Sequence, residues 1–167
     1  MATQMFIGGT WTDGTATRTR RVTSPATGEV LGEVPISSAA DVDAAVDAAR
    51  KAQRTLEAMT AFERAALCHR VADLLESRTD ELAREITLEQ GKPLATEARE
   101  EVHHSAGNFR MYAEDAIRLD TEVIPSESRG KLVFTLRKPM GIYGLITPWN
   151  FPLMIPCELA APALVTG

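Results

Sequence analysis

The residues best suited to chemistry lie in one short segment, Thr147-Pro148-Trp149-Asn150-Phe151-Pro152. A fixed asparagine amide can donate a hydrogen bond to an oxygen that gains negative charge during acyl chemistry, which makes Asn150 the candidate reactive group. Two prolines restrict the backbone here, and an aromatic residue on each side restricts the amide. The same residue types also suit a structural role, in which Asn150 caps the next helix and Trp149 packs in a core.

The loop lies between a predicted strand and a predicted helix. Residues 142–146 are nearly all apolar, which is typical of a strand buried on both faces. Residues 153–165 are apolar and compatible with a helix, although Pro156 and Pro162 should bend it or move its start. A strand, a loop and a helix in this order open a βα unit, and ligands bind beyond the carboxyl ends of strands in such sheets. A second strand should follow at residue 167, so the chain is expected to be interrupted there.

The middle of the chain is predicted to be helical. Ser38 with Asp41, and Thr60 with Glu63, have the spacing of residues that cap helix N-termini. Gly91 is placed where a left-handed residue ends a helix. A break is expected near residues 77–80, and the hydrophobic period predicts these inward residues in three successive helical stretches: Val42, Ala45, Val46, Ala49 and Leu56; Leu67, Val71, Leu74, Leu75, Leu82 and Ile86; Ala98, Val102, Phe109 and Ala116.

Short strands are predicted on both sides of the helices. Residues 5–7 and 10–12 flank Gly8-Gly9, which indicates a hairpin. Residues 29–34 alternate between apolar and polar as a strand does. Residues 131–137 carry basic residues at their ends, which suits a sheet edge.

Composition excludes several classes of protein. The chain has 167 residues, of which 44% are hydrophobic and 25% charged, an ordinary globular balance. Its net charge of −5 argues against nucleic acid as a partner. No apolar run reaches the ~20 residues that a membrane span needs, and no secretory signal is visible, so no membrane partner is expected. Cys68 and Cys157 fit a reducing cytoplasm and are interpreted as packing thiols rather than nucleophiles.

No metal site is predicted. Glu100, Glu101, His103 and His104 form an incomplete ligand set, so a solvated helix face is expected instead. Lys92 follows a glycine but lacks the other residues of a phosphate-binding loop.

Five segments together resemble the N-terminal part of the NAD(P)-dependent aldehyde dehydrogenase superfamily. They are, in chain order, Phe6-Ile7-Gly8-Gly9-Thr10-Trp11, Ser24-Pro25-Ala26-Thr27-Gly28-Glu29-Val30, Leu88-Glu89-Gln90-Gly91-Lys92-Pro93, Arg137-Lys138-Pro139-Met140-Gly141, and the Asn150 loop followed by Ala161-Pro162-Ala163-Leu164-Val165-Thr166-Gly167. The resemblance covers essentially the whole chain. It implies an α/β, aldehyde-dehydrogenase-like fold, in which N-terminal strands and helices lead into the first βα unit of a Rossmann-like cofactor domain, plus an oligomerisation strand.

The resemblance also implies a division of the chain. Residues 1–120 would hold the N-terminal strands and the helical part of the cofactor-binding domain. Residues 121–140 would form the oligomerisation arm of a homodimer or homotetramer. Residues 141–167 would start the Rossmann-like sheet, with the remainder beyond this chain.

The implied activity is the oxidation of an aldehyde to its carboxylic acid with NAD or NADP, through a cysteine thiohemiacetal and thioester. Asn150 would donate its amide hydrogen bond to the thiohemiacetal oxyanion, and the dinucleotide site would be lined by the backbone at Ile146, Thr147, Pro148 and Trp149. The nucleophilic cysteine and general-base glutamate would lie outside this chain, so these residues alone should be inactive. The alternative is a non-catalytic truncated module that only associates with other chains.

Two residues of the loop and the next helix bear on the substrate. By the same resemblance, Phe151 would line the aldehyde tunnel. In members that resemble succinate-semialdehyde and lactaldehyde dehydrogenases, a basic residue usually stands at the position of Glu158 and can pair with a substrate carboxylate. The acidic Glu158 therefore predicts that small anionic semialdehydes are disfavoured. The open alternative is that Glu158 faces solvent or pairs with an arginine.

Overall fold

The computed structural model describes residues 4–167, in which short strand pairs occur together with helices that pack on one another. Residues 4–167 form three antiparallel pairs of strands, five α-helices and one π-helical turn. In chain order they are β1 (Met5–Ile7), β2 (Thr10–Thr12), β3 (Thr19–Thr23), β4 (Val30–Pro35), α1 (Ala39–Ala58), α2 (Ala61–Ser77), α3 (Thr79–Gln90), the π-helical turn Leu94–Ala98, α4 (Arg99–Ala116), β5 (Val123–Ile124), β6 (Val133–Phe134) and α5 (Met154–Thr166). No helix within residues 4–167 has the length and apolar character needed to cross a membrane.

The helix boundaries follow local signals. Ser38 Oγ accepts from the amide of Asp41, whose carboxylate accepts from the amide of Ser38, and Thr60 and Glu63 repeat the arrangement at α2. Gly91 ends α3 with a φ of 80°. These predictions are confirmed, because each depends on residues within one helical turn.

The core lies where α2, α4 and α5 pack together, and much of it consists of small side chains. Its buried members include Cys68, Ala72, Ala106, Phe109, Ala113, Ala161 and Val165. Small residues allow the helix backbones to approach closely, which brings α5, and with it the preceding loop, against α4. The core therefore sets the position of the Asn150 loop.

The inward residues predicted for the third helical stretch are confirmed, whereas those predicted for the first and second stretches are partly wrong. Ala98, Val102, Phe109 and Ala116 are all buried. Leu74 is exposed because the buried residues of α2 are alanines and Cys68, with the partly buried Leu75 packed against them. Val42 is exposed because α1 contacts little of the described core. A hydrophobic period favours large apolar residues, whereas close helix packing selects small ones.

Two predicted strands differ from the structure. Residues 142–146 form no strand, and Ile146 is 96% exposed. A strand needs hydrogen-bonded neighbours, and no strand within residues 4–167 pairs with this segment. The predicted strand at 131–137 is reduced to Val133–Phe134, paired with Val123–Ile124.

Acid should lower the stability that Asp41 gives to the start of α1. Asp41 accepts hydrogen bonds from the amides of Ser38 and Thr15 at 2.8 Å each, and these lower its pKa below the ordinary value. A pKa that is lower in the folded state gives a stabilisation that is present above the unfolded pKa and is lost as the pH falls through the folded one. We therefore expect Asp41→Asn to flatten the acid limb of a plot of thermal midpoint against pH. Asp43→Asn, on the same helix, is the control, and equal acid limbs for wild type and Asp41→Asn would contradict this prediction.

Candidate active site at the Asn150 loop

Asn150 lies on the surface, but two side chains bind its backbone carbonyl group. Its carbonyl oxygen accepts hydrogen bonds from Gln90 Nε2 and Lys92 Nζ, each at 3.0 Å. The residue as a whole is exposed. This combination leaves the side-chain amide open to a ligand while the peptide that carries it is restrained.

The structural alternative for this loop is wrong. Helix α5 takes Leu153 as its N-terminal cap residue, with no side-chain cap bond, so Asn150 does not cap it. Trp149 is 80% exposed and therefore does not pack in a core formed by the described residues. The chemical role of Asn150 stays a prediction, and an exposed position is compatible with it.

A buried ion pair lies directly under the loop. Lys92 is 7% exposed and Glu101 is 2% exposed, and Lys92 Nζ lies 2.5 Å from Glu101 Oε2. The ammonium also lies 3.9 Å from the centroid of the Phe151 ring, which is a cation–π contact. The other carboxylate oxygen, Glu101 Oε1, accepts from the amides of Leu153 and Met154 at 2.9 and 3.1 Å.

This ion pair was not predicted from the sequence. The prediction of a solvated face is confirmed for Glu100, His103 and His104, which are exposed, but it is wrong for Glu101. Glu101 follows Ala98 by three residues and precedes Val102, so the helical period already placed it beside the inward residues of α4. No group of His, Cys, Asp and Glu side chains suited to hold a metal ion occurs among residues 4–167.

The residues expected to line a dinucleotide form an open backbone segment. Ile146, Pro148 and Trp149 are exposed, and Thr147 is half-buried. Within residues 4–167, the backbone groups of these four residues make no hydrogen bonds. Their free amides and carbonyls can pair with a polar ligand that lies along the chain next to Asn150.

The two substrate candidates occupy different surroundings. Phe151 is held over Lys92 at the edge of the loop, with its ring partly open to solvent. Glu158 is exposed on α5 and forms no ion pair within the described part of the chain. The structure thus brings Phe151 beside Asn150, whereas Glu158 faces solvent.

Both cysteines are buried in the helical core, as predicted. Burial raises the pKa of the Cys68 thiol and that of the Cys157 thiol. A raised pKa leaves little thiolate near neutral pH, so neither residue is suited to nucleophilic attack.

The loop combines an exposed asparagine with unpaired backbone groups, on a frame of helices and strands within residues 4–167. Comparison with known proteins identifies the family. The family model described as "Aldehyde dehydrogenase family" matches residues 11–167. The chain belongs to the aldehyde dehydrogenase family.

Relatives in sequence include several semialdehyde dehydrogenases. The chain is 42% identical over 164 residues to a glutarate-semialdehyde dehydrogenase of Pseudomonas putida, and the match covers 98% of this chain and 34% of that protein. It is 40% identical over 164 residues to the succinate-semialdehyde dehydrogenase [NADP(+)] GabD of Escherichia coli, and this match also covers 98% of this chain and 34% of that protein. The chain thus spans about a third of the length of the curated relatives it matches.

Solved structures confirm the fold class. An aldehyde dehydrogenase from Brucella melitensis biovar abortus 2308 superimposes with a TM-score of 0.94 at 41% identity, covering 98% of this chain and 34% of that one. PnpE in complex with nicotinamide adenine dinucleotide gives a TM-score of 0.95 at 37% identity, covering 100% of this chain and 34% of that one. The resemblance inferred from five sequence segments is therefore correct.

Proposed function

We propose that this chain contributes part of the active site of an enzyme that oxidises an aldehyde to its carboxylic acid with NAD+ or NADP+. The observation that carries the proposal is the exposed amide of Asn150 on a backbone held by Gln90 and Lys92. Membership of the aldehyde dehydrogenase family supports it. The nucleophilic cysteine and the general-base glutamate would come from outside these residues, since both cysteines here are buried.

In this proposal Asn150 stabilises negative charge. Its side-chain N–H donates to the oxygen of the aldehyde carbonyl as that oxygen becomes an oxyanion of the thiohemiacetal. A donor that is already oriented needs no reorganisation when the charge develops, which is why a restrained peptide matters. Phe151, which follows in the chain, would line the path of the aldehyde.

The backbone at Ile146, Thr147, Pro148 and Trp149 would hold part of the dinucleotide. Its hydrogen-bonding groups are unpaired within the described residues, which fits a ligand rich in hydroxyl and amide groups. NAD+ or NADP+ supplies the hydride acceptor. Either cofactor is compatible with the relatives, because the PnpE structure contains NAD and the GabD relative carries NADP(+) in its name.

The proposal includes a division of the chain and an assembly of several copies. Residues 1–120 and 141–167 would belong to the cofactor-binding domain, and residues 121–140 would form an arm that joins copies into a homodimer or homotetramer. The arm carries exposed apolar side chains at Val123, Leu132 and Leu136, which suit burial against another chain. We place the protein in the cytoplasm, where two unpaired thiols remain reduced.

The activity is tested on the full-length natural polypeptide that contains these residues. Purified protein is mixed with propanal and either cofactor, and reduced nicotinamide is followed by absorbance. Turnover with acid as product supports the proposal. Absence of both turnover and cofactor binding by calorimetry would favour the alternative, a non-catalytic module that only associates with other chains.

Glu158 is the residue from which we expect a change in substrate preference. In the assembled active site proposed here, Glu158, which is exposed and unpaired among residues 4–167, would meet the incoming aldehyde and repel a carboxylated substrate. Glu158→Arg would replace that repulsion with a charge-assisted hydrogen bond. Such a bond contributes about 1.5–3 kcal/mol, so kcat/KM for succinate semialdehyde relative to propanal should rise about tenfold or more.

The matched control is Glu57→Arg, which makes the same charge change at an exposed position on α1. It should leave the ratio of the two kcat/KM values as it is in wild type. A wild-type enzyme that already strongly prefers succinate semialdehyde would show this specificity role to be wrong.

A further inference from the structure

We infer that the buried Lys92–Glu101 pair, together with Gln90, is a positioning device that aims the Asn150 amide at the oxyanion. The inference rests on the proposed function, because it assigns these residues an effect on the step in which Asn150 takes part. None of the three touches the reacting atoms in this proposal, so they are positioning residues.

Lys92 makes contacts in three directions from one ammonium group. Nζ donates to Glu101 Oε2 at 2.5 Å and to the carbonyl oxygen of Asn150 at 3.0 Å, and it lies over the Phe151 ring at 3.9 Å. Gln90 Nε2 donates to the same Asn150 oxygen at 3.0 Å. Two donors on one carbonyl restrain the peptide between Asn150 and Phe151, and with it the Cα atom from which the Asn150 side chain projects.

Glu101 holds the other end of the loop. Its Oε1 accepts from the amides of Leu153 and Met154, the cap and first residues of α5, which has no side-chain cap bond of its own. A carboxylate is favourable at a helix N-terminus because the helix dipole is positive there. One ion pair therefore holds both the loop backbone at Asn150 and the start of α5.

Stability alone is a weak reason for such a pair. Burying two charges carries a large desolvation penalty, and well-packed uncharged replacements are often equally stable. Here the contacts of both charged groups converge on the backbone of residues 150–154. A displacement of about 1 Å in a catalytic group can reduce the rate on the order of a hundredfold, so fixing this backbone has a direct effect on turnover.

The test uses a double substitution, Lys92→Met/Glu101→Gln, which removes the ion pair without leaving a buried charge. The introduced glutamine retains an oxygen that can accept from the amides of α5, and the introduced methionine fills most of the lysine volume. What is lost is the cation and its hydrogen bond to Asn150. We expect kcat in the full-length polypeptide to fall about 10- to 100-fold, with the Kd for the cofactor and the thermal midpoint near those of wild type.

The decisive measurement is coupling to Asn150. If the pair acts through the amide, Lys92→Met/Glu101→Gln should cause no further loss of kcat in a protein that already carries Asn150→Ala. A purely structural role would instead lower kcat by the same factor in both backgrounds, and that result would overturn the inference. Gln90→Leu removes the second donor without any charge change and should show the same coupling with a smaller loss of kcat.

A matched control separates this effect from the loss of any ion pair. Arg78→Met/Glu81→Gln removes an exposed pair, 2.6 Å apart, that makes no contact with the loop, and kcat should stay at the wild-type value. If Asn150→Ala itself leaves kcat unchanged, the proposed function of Asn150 fails and the positioning role fails with it. If Asn150→Ala is slow but Lys92→Met/Glu101→Gln is fully active, only the positioning role is overturned.

Discussion

Replacement of Asn150 by alanine should lower the turnover of the full-length enzyme by roughly 10²–10³-fold, the usual effect of removing one oxyanion donor. The amide has no hydrogen-bond partner among residues 4–167, so the substitution should cost the fold little. The loss should therefore appear in kcat and kcat/KM together, because the interaction exists in the transition state and not in the ground state. Steady-state kinetics with a neutral aldehyde, beside a calorimetric Kd for the cofactor, measures it.

The chain offers a matched control for that experiment. Asn108 is the other asparagine of the sequence and lies half-buried on α4, away from the loop. Asn108→Ala should leave turnover near the wild-type value. Wild-type turnover in Asn150→Ala would remove the amide from the mechanism and, with it, the main support for the proposed activity.

The second large effect concerns stability and comes from Lys92→Met alone. This change leaves Glu101 buried and charged without its cation, and breaking a buried pair in this way typically costs about 3–5 kcal/mol. We expect a clear fall in the denaturant midpoint of the transition that involves this region. Adding Glu101→Gln should restore most of the loss, because the uncompensated charge is then gone.

Arg99→Met supplies the comparison for the stability experiment. Arg99 pairs with Asp80 at 2.9 Å, but both side chains are exposed, so removing that pair should change stability by only ~0–1 kcal/mol. Equal losses for Lys92→Met and Arg99→Met would mean that the Lys92–Glu101 pair is solvated in solution, which would contradict the burial of both side chains.

Several features of this protein could be predicted from neighbouring residues alone. The Ser38–Asp41 and Thr60–Glu63 boxes, and the end of α3 at Gly91, are satisfied within a single turn of chain. The same holds for the buried face of α4, since a helical period requires no knowledge of the partner. Five short segments in register were also enough to identify the family, which the family model and the solved structures confirm.

Other features depended on contacts between distant residues. Glu101 was expected in solvent because a glutamate usually lies there, and its burial depends on a lysine nine residues earlier and on amides more than fifty residues later. Residues 142–146 have the composition of a buried strand but form none, because a strand requires neighbours to complete its hydrogen bonds.

Sequence by itself therefore determined the helix ends, the family and the candidate amide. Tertiary structure decided how the backbone that carries this amide is held. The two charges that hold it are stable in the interior only when packing brings them together.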